Sequence, residues 1–186
     1  QPHAKQFDVA RLFFRAENGA TITATVGAGT PQSRSFDGSS GVQMYELKAK
    51  GSKINYKFSN VGEGFTGFGM ALESLQGVIL DCMSVRGSSG LTLQGIPQST
   101  LADFAKLRPY DLIIVHYGLN VAVSGNPKNI IQNYARNMGK VVAHLRQAFP
   151  ETSILVFSVP DHEQRGADGI KTLKEVHALV AFQQQM

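Results

Sequence analysis

A single cysteine, Cys82, and no tryptophan occur in the whole chain. One thiol excludes an internal disulfide and leaves the redox setting open. The absence of tryptophan removes the largest aromatic platform for stacking on a sugar. Charged residues are scarce at 17%, and the net charge of +4 comes from scattered Lys and Arg. Without a basic footprint, nucleic-acid binding is not expected. No apolar run approaches the ~20 residues needed to cross a bilayer, so no membrane span is expected. No His, Cys and carboxylate residues stand at metal-ligand spacing, and neither a metal nor another cofactor is expected. What is present, 42% apolar residues in a chain of 186, is enough to build a folded core.

Two textures follow one another. In residues 1–75, apolar and polar positions alternate with the period of two that marks a half-buried strand. Ile22, Ala24 and Val26 alternate with threonines, Ile54, Tyr56 and Phe58 share a face, and Leu12 and Phe14 point inward between Arg11 and Arg15. Asn18-Gly19 is a tight-hairpin signal because a type I′ turn needs positive φ at both central residues, and Gly51-Ser52 is read in the same way. With a last strand through Phe68, Met70 and Leu72, about five strands with one apolar face each predict a small antiparallel β-sandwich.

From residue 76 to 186 the strands become continuously apolar, as when helices cover both faces. Strands are expected at 77–85, where Cys82 would be a buried inert thiol, at 111–117, with His116 buried inside it, and at 153–159. Helices are expected from Ser99 or Thr100, from the Asn126-Pro127 cap, and over about 170–185. This β-α-β-α order predicts an α/β unit with a three-layer parallel sheet and right-handed crossovers.

Two of these strand ends offer hydrogen-bond donors. The run 77–85 ends in Arg86-Gly87-Ser88-Ser89-Gly90, and the run 111–117 ends in Gly118-Leu119-Asn120. In an open parallel sheet, ligands bind beyond the carboxyl ends of the strands. There the Asn120 amide and the Gly87 backbone N–H could together stabilise an oxyanion, and glycine lets the backbone approach a substrate closely.

Ser84-Val-Arg-Gly87 followed by Tyr117-Gly-Leu-Asn120 resembles the second and third sequence blocks of the SGNH (GDSL-type) hydrolases. The resemblance implies a flavodoxin-like α/β esterase in which Gly87 and Asn120 are the oxyanion donors. The β-rich part is similar to the sandwich that bacterial carbohydrate and peptidoglycan O-acetylesterases carry between their first two blocks. An acylated carbohydrate substrate and a secreted, periplasmic or cell-envelope location follow from the same likeness. The family's Gly-Asp-Ser and Asp-x-x-His do not occur in the chain. Asp37-Gly-Ser-Ser40 has the order altered and lies in the β-rich part, Asp161-His162 is adjacent, and Glu175-x-His177 points two ways on a helix. His144 and His177 are expected on helix surfaces and His162 beyond a strand end. The chain is therefore expected to be a middle piece, inactive alone, completed by further sequence or by another copy of the protein.

Two other functions stay open. One is a non-catalytic glycan-binding sandwich using Phe13, Tyr45 and Phe65 as exposed stacking rings. The other is a phosphate or nucleotide binder with Gly87-Ser-Ser-Gly90 as an anion cradle, although no Walker-type lysine or Gly-x-Gly-x-x-Gly occurs.

Overall fold

The computed structural model describes residues 5–166 and 169–185. Its chain divides into two compact units, Gln1–Cys82 and Met83–Met186, where the change of texture in the sequence falls at residue 76.

In the first unit, β1 (Phe7–Ala16) lies between β4 (Ser39–Gly51) and β6 (Phe65–Glu73), while β2 (Ala20–Val26) lies between β3 (Gln32–Phe36) and β5 (Ile54–Ser59). All the pairings within these two sheets are antiparallel. The faces that alternate in the sequence meet in one core of Leu12, Phe14 and Ala16 from β1, Ala20, Ile22 and Ala24 from β2, and Tyr45 and Leu47 from β4. Phe14 anchors it, edge-on to Phe36 and stacked on Phe65.

Both tight turns do something other than close a hairpin. Asn18-Gly19 carries the chain from β1 in one sheet to β2 in the other, and Gly51-Ser52 does the same from β4 to β5. The reason is burial. Leu12 and Phe14 are covered only if the next strand stacks over them, which edge-to-edge pairing cannot achieve. Phe68, Met70 and Leu72 do lie on β6, but their side chains are exposed.

The second unit holds α1 (Gln98–Leu107), β7 (Leu112–His116), α2 (Lys128–Ala148), β8 (Ser153–Phe157), β9 (Glu163–Gly166), β10 (Gly169–Thr172) and α3 (Lys174–Gln183). The short antiparallel pair β9–β10 was not foreseen, and it occupies the start of the helix expected from residue 170. β7 and β8 pair in parallel, in register from Leu112 with Ser153 to His116 with Phe157. Val115 packs with Leu101, Ile131, Tyr134, Met138, Val141, Val176 and Leu179, so α1, α2 and α3 share one core with one face of the pair. Pro97 and Pro127 immediately precede α1 and α2. Asn126 does not cap α2; its amide instead donates to the Val121 carbonyl at 2.7 Å.

The expected flavodoxin-like three-layer parallel sheet is not formed. Most strands are antiparallel, and the parallel sheet among the described residues is the two-stranded β7–β8 pair. Two observations explain this. The run 77–85 joins no strand, and Val78, Leu80, Met83, Val85 and Cys82 are exposed, the thiol included. The far face of β7–β8, with Leu112, Ile114, Leu155 and Phe157, also stays exposed, so no second helical layer covers it among the described residues. His116 lies on that face, exposed and edge-on to Phe157, rather than buried.

Candidate functional site

The two loops singled out in the sequence come together in the second unit. The first begins with a turn closed by the Ser88 N–H on the Val85 carbonyl at 3.1 Å. Gly87 sits in that turn at φ 79°, a conformation that side-chain-bearing residues rarely adopt. Next come Gly90, whose N–H donates to Ser88 Oγ at 3.1 Å, and a 3₁₀ turn at Leu91–Gly95.

The second loop leaves β7 through Tyr117 and Gly118. A methyl group on Gly118 would stand 2.7 Å from Leu179 Cδ2 and 2.9 Å from Val159 Cγ1, and φ there is 127°. Glycine is therefore required both by space and by backbone angle. The Gly118 carbonyl accepts from the N–H groups of Val121 and Ala122 at 2.8 and 3.0 Å, which turns the chain sharply and presents Asn120 at the surface.

Asn120 Nδ2 donates to the Ser88 carbonyl at 2.9 Å. This bond sets the side chain one residue from Gly87. An amide NH2 has two hydrogens, so the bond to Ser88 fixes one and leaves the other for an incoming acceptor. Asn120 is thus brought against the residue that follows Gly87.

Two residues whose hydrogen-bond partners sequence reading missed hold the loops from behind. Tyr134, on the buried face of α2, donates its hydroxyl to the Ser89 carbonyl at 2.7 Å. Burial pushes its phenol above the ordinary value of 10.0, so it remains a neutral donor. Glu175, in the first turn of α3, accepts the Gly125 N–H at 3.0 Å. Tyr134 was legible as a core position at helical spacing, but nothing marked its hydroxyl. Glu175 was legible only as an acid early in a helix.

The other candidates lie elsewhere or point away. Asp161 and His162 are exposed, and the His162 backbone carbonyl accepts from Leu173 N. Glu175 is buried while His177 is exposed, so the pair does not converge. His144, expected on a helix surface, is partly buried: its ring Nε2 meets the Ile96 carbonyl at 2.8 Å and its Nδ1 meets Gln98 Nε2 at 3.0 Å. Among the described residues, none of His116, His144, His162 and His177 bonds a serine hydroxyl through its ring. No metal-binding group of three or more His, Cys, Asp or Glu occurs among the described residues, and no described helix is long and apolar enough to cross a membrane.

The alternatives lose their footing. Phe13 and Tyr45 are buried at 5% and 4% exposed and Phe65 is partly buried against the core, stacked on Phe14, so the three do not form the exposed sugar platform expected. In the presumed anion cradle, the Ser88 and Gly90 amides are already taken by Val85 O and Ser88 Oγ. No protein-family model matches the chain, and no curated protein matches it at a significant level.

Proposed function

We propose that the paired loops form the oxyanion-binding side of an ester hydrolase, with the free N–H of Asn120 and the Gly87 backbone N–H as donors. The Asn120–Ser88 hydrogen bond is the observation that supports this reading, because it ties the Asn120 amide to the residue that follows Gly87. Donors fixed before the reaction stabilise developing charge without reorganising as it forms. By the resemblance to the SGNH hydrolases, the attacking hydroxyl and its base belong to the Gly-Asp-Ser and Asp-x-x-His motifs, which this sequence does not contain. The substrate class, an acylated carbohydrate handled at the cell envelope, rests on the likeness of the β-rich part to the sandwich of bacterial carbohydrate O-acetylesterases.

The test uses the protein as its gene encodes it, assayed on an aryl acetate and an acetylated oligosaccharide. Asn120→Ala is expected to lower kcat by ~10²–10³, the usual cost of one oxyanion donor, with Tm unchanged within about 3 °C. Unchanged kcat would remove Asn120 from the chemistry and end the proposal.

A further inference from the structure

Asn120 is not the only side chain gripping the first loop. The consecutive carbonyls of Ser88 and Ser89 are each held by a donor from a different element, Asn120 from the loop after β7 and Tyr134 from α2. Tyr134 also lies beside the second loop, since a methyl group added to Gly118 would stand 3.5 Å from its ring carbon Cε1. One buried side chain, 5% exposed, therefore bonds the first loop and lies beside the second. The buried ring cannot swing without disturbing its neighbours Ile131, Met138 and Leu179 in the same core.

We infer that Tyr134 is a positioning residue: its hydroxyl fixes the Ser89–Gly90 peptide, and through Ser89 it steadies the adjoining Ser88–Ser89 peptide whose carbonyl aims the Asn120 amide. This inference rests on the oxyanion reading. Without the hydroxyl, the Ser89 carbonyl loses its partner and the Ser89–Gly90 peptide is free to rotate. That freedom loosens the Ser89 backbone torsions and with them the adjoining Ser88 carbonyl, so the second Asn120 hydrogen no longer points at a fixed place. A donor displaced by a fraction of an ångström still binds substrate but stabilises the transition state less well.

Tyr134→Phe keeps the ring and removes only the hydroxyl. In the gene-encoded protein, this variant is expected to lower kcat about 10-fold with KM within about twofold. In an Asn120→Ala background the same substitution should change kcat less than about twofold, because no amide remains to be aimed. A purely structural role would instead lower kcat equally in both backgrounds, and that result would overturn the inference. An independent readout uses the 186-residue chain labelled with nitrogen-15. Tyr134→Phe should shift the Asn120 side-chain amide signals; signals that do not move would also overturn the inference. The two ideas fail separately. If Asn120→Ala leaves kcat intact, the oxyanion reading is lost. If Asn120→Ala lowers kcat but Tyr134→Phe matches the wild type, only the positioning role is lost.

Discussion

The carboxylate of Glu175 accepts the backbone N–H of Gly125 at 3.0 Å, tying the first turn of α3 to the loop that follows Asn120. That amide, together with Glu175's own N–H, holds the carboxyl below its ordinary value of 4.5; burial works in the opposite sense and Lys174 reinforces the lowering. A carboxyl that ionises more readily when folded contributes stability above its unfolded value. That contribution is lost as pH falls through the lower, folded value. The second unit is therefore expected to melt at progressively lower temperature as pH is taken below about 4.5. Glu175→Gln should flatten that acid-side decline, and parallel pH–Tm curves for the two proteins would contradict the assignment.

Two tyrosines of the sandwich predict opposite outcomes for the same substitution. Tyr45 donates its hydroxyl to the Gln32 carbonyl at 2.9 Å. Tyr56 has a buried hydroxyl with no partner among the described residues, and burial pushes its phenol up to about 12. Tyr45→Phe is expected to cost ~1 kcal/mol, whereas Tyr56→Phe should leave stability unchanged or raise it by up to ~1 kcal/mol. Urea midpoints measured side by side would decide it, and equal losses would refute the distinction.

Glycines 87 and 118 separate backbone strain from crowding. A methyl group on Gly87 meets nothing within 4 Å, but its φ of 79° is unfavourable. Gly87→Ala should cost about 1–2 kcal/mol from the backbone alone. Gly118→Ala adds a clash with Leu179 and Val159, expected to cost roughly 1–3 kcal/mol more. Equilibrium unfolding should rank the second variant well below the first.

The parallel pair is buried on one side only, which adjacent positions can demonstrate. Val115 is 3% exposed and Ile114 is 46% exposed. Val115→Ala is expected to destabilise by about 2 kcal/mol and Ile114→Ala by under about 1 kcal/mol. Thermal melts showing equal losses would mean that the far face is covered.

Much of this molecule is legible in its sequence, for reasons that also mark where reading stops. Leu12, Phe14, Ile22 and Ala24 declare their shared core through strict alternation, and Ile131, Tyr134, Met138, Val141 and Leu145 declare the buried face of α2 through helical spacing. Asn18-Gly19 declares a reversal but not its destination, because a turn signal is local and the choice between hairpin and sheet crossing depends on which faces need covering. The run from Val78 to Val85 has the composition of a buried strand, yet composition states what a segment would bury and not whether a neighbouring strand exists to pair with it. His116 was misplaced for the same reason: a sheet covered on one side exposes every second residue. Gly87 and Asn120 stood out in the sequence because each follows an apolar run, although only the run before Asn120 forms a strand. The Tyr134 and Glu175 contacts join positions 45 and 50 residues apart in the chain, and no local pattern encodes them.

The middle strand of the first sheet is also the earliest to be synthesised. Val9 pairs on one side with Lys48 and on the other with Glu73, so neither edge of β1 can be satisfied by what immediately follows it. At about 5–20 residues per second on the ribosome, the second partner arrives roughly 3–12 s after the first strand is made. For that interval the most apolar strand of the unit is an open template. Expression yield should therefore respond more to chaperone supply and translation speed than to modest gains in final stability.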